Sequence, residues 1–320
     1  MDRLSSDLSA GDLPLDGLSD DGTGYPEEAQ QILAASQRRL AIPEELFGLA
    51  ELDVLYDERN TALWTFMRPA GRPSFTPLML ADFVSWQDLI GASFGPGKVP
   101  LKYLVLGSRA PGVFCFGGDL TLFESLIRSD NRDGLTAYGY RCVEILHRNM
   151  RSLDLPMLTI GLVQGQALGG GFEALLSFDY IVAERGSNFG LPEVMFGLFP
   201  GMGAHAILSR KLGSAMAERI IMGNESYSAE QMYDLGIVHA LAEPGEGEQT
   251  VRDFMARSAR RHAGLVGARR ASRRVANIPL EELRDVVDHW ADAALQLREQ
   301  DLKLMHRLAA AQKKLPRAAA

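Results

Sequence analysis

Gln166-Ala167-Leu168-Gly169-Gly170-Gly171-Phe172-Glu173 is the stretch on which the reading of this chain turns. It follows the apolar run Leu158–Val163, which reads as a buried strand, and it opens the apolar segment Gly170–Phe178, which reads as a helix. Three glycines at such a junction make a tight strand-to-helix turn, where a ligand can approach the backbone and the first amides of the helix have no partner inside the helix. Those amides, at the positive end of the helix, suit an oxygen that is gaining negative charge. Glu173 lies about one turn further on, roughly 5 Å along the axis, so an oxygen held at Gly170 would have a carboxylate over the neighbouring carbon.

A second glutamate stands in Phe189-Gly190-Leu191-Pro192-Glu193, ahead of Phe199-Pro200-Gly201-Met202-Gly203. Pro192 restricts φ and holds Glu193 rigidly at a loop or helix start. Two carboxylates in one site push their pKa values apart, so that one serves as acid and the other as base. A third glycine turn, Val113-Phe114-Cys115-Phe116-Gly117-Gly118-Asp119-Leu120, follows the strand-like Tyr103–Leu106; it can offer a second amide, and Asp119 is a good helix N-cap.

Around these turns the chain alternates short strands and helices, which makes the class α/β. Leu52–Tyr56 and Thr61–Phe66 flank a hairpin turn, and helices are expected over Thr76–Leu89, Leu120–Ser129 and Leu135–Arg151. Tyr180–Ala183 and Ile237–Leu241 read as further strands, and Ser228 with Gln231 as a capping box. Residues 1–28 carry eight Asp/Glu and one Arg with no period, the mark of a disordered acidic arm. Gln30–Leu40 could form a short helix, and residues 29–248 form the expected core domain. Residues 249–320 form a C-terminal helical region whose stripe of Trp290, Leu297 and Leu308 must cover the core, a ligand tunnel or another subunit.

Among 320 residues, 46% are hydrophobic and 23% charged, with a net charge of −8, which argues against nucleic acid as the main partner. Cys115 and Cys142 are the only cysteines, so a structural zinc site is disfavoured, no metal is expected, and a reduced cytoplasmic setting fits. The first residues lack the basic and apolar regions of a signal peptide, and no apolar run is long enough to span a bilayer. His147, His205 and His239 have no partner at triad or metal spacing, no G-x-S-x-G elbow is present, and no dinucleotide fingerprint stands at a strand–helix junction. No cofactor is therefore expected. Arg257, Arg260, Arg261, Arg269, Arg270, Arg273 and Arg274 cluster on one helical segment. A solvated face is the default reading, and a dock for an acidic carrier protein the sharper one.

The strings Ala167–Glu173, Phe189–Val194 and Phe199–Gly203 resemble the signature segments of the crotonase (enoyl-CoA hydratase/isomerase) superfamily over about residues 50–250. The resemblance implies a spiral of ββα units, a thioester substrate and an oxyanion hole of two backbone amides. Gly170 supplies one amide, and Gly117 or its neighbour Phe116 the other. Glu173 and Glu193 fall on the two hydratase carboxylates, and Leu168, Gly169, Trp290, Leu297 and Leu308 are the candidate substrate contacts. The Gly-Gly-Asp-Leu loop, Gln164–Leu168, Leu198–Ala204, Tyr227–Gln231 and the helices with Trp290 are similar more narrowly to the diffusible-signal-factor synthases. That resemblance implies dehydration of a 3-hydroxyacyl thioester on acyl carrier protein (or CoA), then hydrolysis to a free cis-2-unsaturated acid for cell–cell signalling. It also implies a receiver domain of a sensor kinase as a possible partner, and a homo-oligomer. The competing expectations are a catabolic enoyl-CoA hydratase, or a binding protein built on the same scaffold.

Overall fold

The first strands form because β-branched and aromatic residues flank a turn that closes on itself. Leu52–Asp57 (β1) and Ala62–Met67 (β2) pair antiparallel from Leu52 opposite Met67 to Asp57 opposite Ala62. The Asp57 carboxylate caps the turn by accepting from the Asn60 amide at 3.2 Å. In this computed structural model residues 41–312 are described, so the expected acidic arm and the Gln30–Leu40 helix lie outside the described residues. The chain divides into a unit at Met1–Ile42 and one from Pro43 onward, to which everything below belongs.

Helix Pro77–Ser93 (α1) leads into Tyr103–Ser108 (β3), parallel to β2, and then into Val113–Cys115 (β4). Helices Leu120–Arg128 (α2) and Arg132–Met150 (α3) follow, then Leu158–Val163 (β5), Gln166–Leu168 (β6) and the short helix Gly170–Leu175 (α4). Tyr180–Glu184 (β7) and Asn188–Gly190 (β8) repeat the strand pair. The chain continues through Ala204–Leu212 (α5), Ser214–Met222 (α6), Tyr227–Ser228 (β9), Ala229–Asp234 (α7) and Ala240–Ala242 (β10). Four α-helices close the described residues: Gly247–Ser258 (α8), His262–Val275 (α9), Leu280–Leu295 (α10) and Glu299–Gln312 (α11).

The strands divide between two sheets. One has the order β1-β2-β3-β5-β7-β10 and the other β4-β6-β8-β9. Each of the pairs β3/β4, β5/β6 and β7/β8 places its first strand in the large sheet and its second in the small one, so the chain climbs as a spiral of ββα turns. The inner strands β2, β3 and β5 of the large sheet are buried on both faces, which is why they are almost continuously apolar. Trp64, Tyr103, Val105, Ile160 and Leu162 meet Val251 and Met255 of α8 and Val266 of α9.

The small sheet was not foreseen. Strands of two or three residues are too short to show a period of two, and only the register with a neighbour defines them. The helix expected to reach Phe178 ends at Leu175, and the last strand lies at Ala240–Ala242 rather than Ile237–Leu241. The capping box forms as expected: the Gln231 amide donates to Ser228 Oγ at 3.2 Å, and the Ser228 amide donates to Gln231 Oε1 at 2.8 Å.

Candidate active site

β4, β6 and β8 are parallel neighbours, with Cys115 opposite Ala167, Ala167 opposite Phe189, and Leu168 opposite Gly190. Their carboxyl ends therefore lie side by side, the place where α/β sheets commonly bind ligands. The three loops that leave those ends are the three turns singled out in the sequence. Phe116–Asp119 follows β4, Gly169-Gly170 follows β6, and Leu191-Pro192-Glu193 follows β8. Two glycines make the convergence possible. Gly117 has φ +83°, and a Cβ there would stand 2.4 Å from the Gly170 amide nitrogen. Gly169 has φ +53°, and a Cβ there would stand 2.7 Å from Glu193 Oε1. A larger residue at Gly117 would force the loops apart, and one at Gly169 would be strained by its positive φ and would displace the Glu193 carboxylate.

Glu173 is only 1% exposed. Its Oε1 accepts from the Met202 amide at 2.8 Å and the Ala204 amide at 3.0 Å, so the Phe199–Gly203 turn exists in part to hold this carboxylate. Burial raises its pKa, and the amides of Ala204, Met202 and Gly203 pull it back part of the way. Glu193 keeps some exposed surface as a residue, but its Oε2 is shut off from solvent and has no hydrogen-bond partner. Burial raises its pKa too, and the neighbouring Glu173 charge raises it further. With two amides steadying Glu173 and none steadying Glu193 Oε2, the proton of the pair rests on Glu193. The two acids line one cleft together with Leu168, Gly169 and Gly170.

The loop after β4 differs from expectation by one residue. The Gly117 amide donates to Cys115 Sγ at 3.3 Å, so it is not offered to a ligand. Gly118 lines the cleft, and among the described residues neither its amide nor that of Gly170 donates a hydrogen bond. Phe116 lines the cleft as well, but its amide is held by the Pro73 carbonyl at 2.8 Å. The loop itself is clamped. The Phe75 amide donates to Gly117 O at 2.7 Å. The Tyr138 hydroxyl donates to Phe75 O at 2.5 Å and accepts from the Asp119 amide at 3.2 Å, while Arg72 pairs with the Asp119 carboxylate at 2.7 Å. Sequence reasoning missed Arg72 and Tyr138. The N-cap residue Asp119 was the only local hint of them, since both act from distant elements.

Residues 98–263, more than half of the chain, match the enoyl-CoA hydratase/isomerase family. The chain belongs to that family. It is 27% identical over 216 residues to a probable peroxisomal enoyl-CoA hydratase 1 of Arabidopsis thaliana, covering 67% of this chain and 75% of that protein. It is 36% identical over 141 residues to the fatty acid oxidation complex subunit alpha of Idiomarina loihiensis, covering 44% of this chain but only 19% of that longer protein. Among solved structures, enoyl-CoA hydratase from Bacillus halodurans superposes with a TM-score of 0.67 at 16% identity, over 81% of this chain and all of that one. Pseudomonas aeruginosa DspI superposes with a TM-score of 0.59 at 22% identity, over 71% and 88%. At such identities the superpositions speak for the fold.

In this member of the enoyl-CoA hydratase/isomerase family the cleft encloses about 860 Å³, mouth included. Its walls are apolar: Phe123 and Tyr138 on one side, Phe196 and Leu198 on another, and Val287, Trp290 and Leu308 from the C-terminal helices. The Trp290 ring stands edge-on to Phe123 at 4.9 Å. Gly139 of α3 lets α10 come close, since a Cβ there would meet Val287 Cγ1 at 2.4 Å. Leu297 does not line the cleft. It sits in the α10–α11 connection against Gly197, because the helix breaks after Leu295 and the apolar stripe does not continue in phase. None of His147, His205 and His239 lines the cleft. His239 Nδ1 accepts from the Ile181 amide at 3.1 Å. Among the described residues no group of three or more His, Cys, Asp or Glu is placed to hold a metal, and no helix is long and apolar enough to cross a membrane.

The arginine cluster divides. Arg273 is held by Asp179 at 2.5 Å, and Arg269 lies 3.3 Å from His239 Nε2. Arg257, Arg260, Arg261, Arg270 and Arg274 are exposed.

Proposed function

We propose that this chain dehydrates a 3-hydroxyacyl thioester and then hydrolyses it, releasing a free 2-unsaturated fatty acid that serves as a signal. The observation that carries the reading is the acid pair Glu173 and Glu193, in one apolar cleft with the uncommitted amides of Gly118 and Gly170. The thioester oxygen sits between those amides. As the C2 proton leaves, charge builds on that oxygen, and each donor contributes roughly 3–4 kcal/mol to the transition state. One carboxylate takes the C2 proton and the other delivers a proton to the departing 3-hydroxyl, which leaves as water. A pair that shares one proton near neutral pH supplies both halves of that exchange. In hydrolysis, water adds to the thioester carbonyl with a glutamate taking its proton. The tetrahedral oxygen occupies the same amides, and the thiol leaves with a proton.

The signal product, its cis geometry and the carrier-protein form of the substrate rest on the resemblance of the Gly-Gly-Asp-Leu, Gly-Leu-Pro-Glu-Val and Leu-Phe-Pro-Gly-Met-Gly segments to diffusible-signal-factor synthases. The exposed arginines from Arg257 to Arg274 are the surface for an acidic carrier. The second reading is reversible hydration of a trans-2-enoyl-CoA, favoured by the hydratases among the chain's relatives. Mass spectrometry of purified protein incubated with 3-hydroxyacyl carrier protein, and separately with trans-2-enoyl-CoA, separates them. Free cis-2-enoic acid from the first is the expected result. Hydration of the second alone would replace the first reading, and no turnover of either would leave a binding role.

A further inference from the structure

Away from the cleft, three elements bring basic side chains together: His239 just ahead of β10, Arg269 and Arg273 of α9, and Lys211 near the end of α5. None of them lines the cleft. His239 is fixed at the edge of β7. Its amide donates to Ile181 O at 2.8 Å, and its Nδ1 accepts from the Ile181 amide at 3.1 Å. The Tyr180 ring lies 5.0 Å from the imidazole. A backbone N–H can only donate, so Nδ1 carries no proton and the proton of the neutral ring is on Nε2. Nε2 is therefore a donor, yet the group it faces, Arg269 Nη2 at 3.3 Å, is a donor as well. The opposite tautomer would only move that conflict to the Ile181 amide. Two N–H donors are thus set side by side, an arrangement that an oxygen accepting from both would stabilise.

Lys211 adds a third donor. Among the described residues it makes no hydrogen bond or ion pair, and Arg269 makes no ion pair. The charges press on one another. Burial first, then Arg269 and Lys211, hold the His239 pKa down at about 4, and burial and Arg269 lower that of Lys211. The carboxylate that opposes them is Asp179, and it is already engaged. It accepts from Arg273, from the Thr159 amide and hydroxyl, and from the Ser152 hydroxyl. With Arg273 and Asp179 cancelling each other, the charges of Arg269 and Lys211 remain unbalanced. Arg269 is half-buried and Lys211 exposed, so a solute reaches both from solvent.

We propose that His239, Arg269 and Lys211 form a binding site for a phosphate group, separate from the catalytic cleft. One phosphate oxygen accepts from His239 Nε2 and Arg269 together, and a second pairs with the Lys211 ammonium. The guanidinium fork matches phosphate geometry, and charge-assisted hydrogen bonds supply the affinity. Free phosphate or a small phosphate monoester carries the group. Binding there is independent of the proposed reaction and is read without turnover. The full-length protein is titrated by calorimetry at fixed ionic strength with inorganic phosphate and, separately, with glycerol phosphate. Saturable one-to-one binding is expected. It should weaken about tenfold in Lys211→Gln and in Arg269→Gln, as loss of one charge-assisted bond implies, and stay unchanged in Arg270→Gln, the exposed neighbour on α9. Tighter binding of the ester assigns the site to an organic phosphate; equal or weaker binding assigns it to the free ion. NMR of the His239 ring nitrogens is expected to show the Nε2–H form and a shift at Nε2 on addition of phosphate. No saturable binding of either compound overturns the proposal. So does an equal loss in Arg270→Gln, the mark of diffuse attraction to the arginine face, or a His239 ring that does not respond while phosphate binds. Because Lys211 is exposed, Lys211→Gln decides the matter even if Arg269→Gln fails to fold.

Discussion

Glu193 holds the proton of the pair because its Oε2 has no hydrogen-bond partner and the Glu173 charge stands beside it, while Glu173 has the amides of Met202 and Ala204. This has a consequence for stability. A carboxyl whose folded pKa is raised, here from 4.5 to about 8, contributes stability that is fully present below the unfolded value and is lost as pH rises through the folded one. Glu193→Gln removes that loss. Its melting temperature is expected to exceed the parent's by a few degrees at pH 9 and to converge with it near pH 5, read by scanning calorimetry. Activity follows the same pair. The proposed dehydration needs one proton between two acids, so kcat/KM for a 3-hydroxyacyl thioester is expected to trace a bell around neutral pH. The rate falls on the acid side when both acids are protonated and on the basic side when both are charged. A rate that rises without limit to pH 10 would contradict the shared proton. Glu173→Gln keeps an oxygen for the two amides and so keeps the fold, but kcat is expected to fall by about 10²–10⁴, measured by product formation.

At the scale of elements, the site is the meeting of loops from three parallel strands, and glycine sets how close they come. Gly117→Ala puts a side chain at positive φ and drives it into the Gly170 backbone. The φ alone costs roughly 1–2 kcal/mol. The expected outcome is a melting temperature lower by several degrees and loss of turnover, since both amide donors shift together. Helix α9 is latched to the large sheet by a different device. Arg273 reaches Asp179, which is 7% exposed and also accepts from the Thr159 amide at 3.0 Å. Arg273→Ala strands a buried carboxylate with those remaining donors. A loss of about 2–4 kcal/mol is expected in urea unfolding, with kcat/KM unchanged because the pair lies outside the cleft. The hairpin, the longer helices and the Ser228 capping box were legible because each is written in consecutive residues. β4, β6, β8 and β9 were not, because strands of two or three residues are defined only by their partners.

At the scale of the whole molecule, a net charge of −8 coexists with five exposed arginines between Arg257 and Arg274. An acidic carrier would be steered to that face and repelled elsewhere. Reversing Arg261 and Arg270 to Glu is expected to raise KM for a carrier-bound substrate about fivefold or more and to leave the CoA thioester unaffected. Equal effects on both would remove the arginine face as a dock. The C-terminal helices belong to the same design from another direction, since α10 brings Val287 and Trp290 and α11 brings Leu308 into the wall of the cleft.

By itself the sequence determined the chemistry available. It supplied two glutamates beside glycine turns, the strand-to-helix junction at Gly169–Gly171, and the family those segments resemble, all encoded within a few consecutive residues. Only the tertiary structure decided that Gly118 rather than Gly117 offers its amide, because Cys115 Sγ takes the Gly117 hydrogen. It also decided that Tyr138 and Arg72 clamp that loop, that Leu297 stays outside the cleft, and that both carboxyls titrate high. Turn propensity and charge are short-range properties of the chain, whereas amide availability and desolvation depend on which distant elements close over a group.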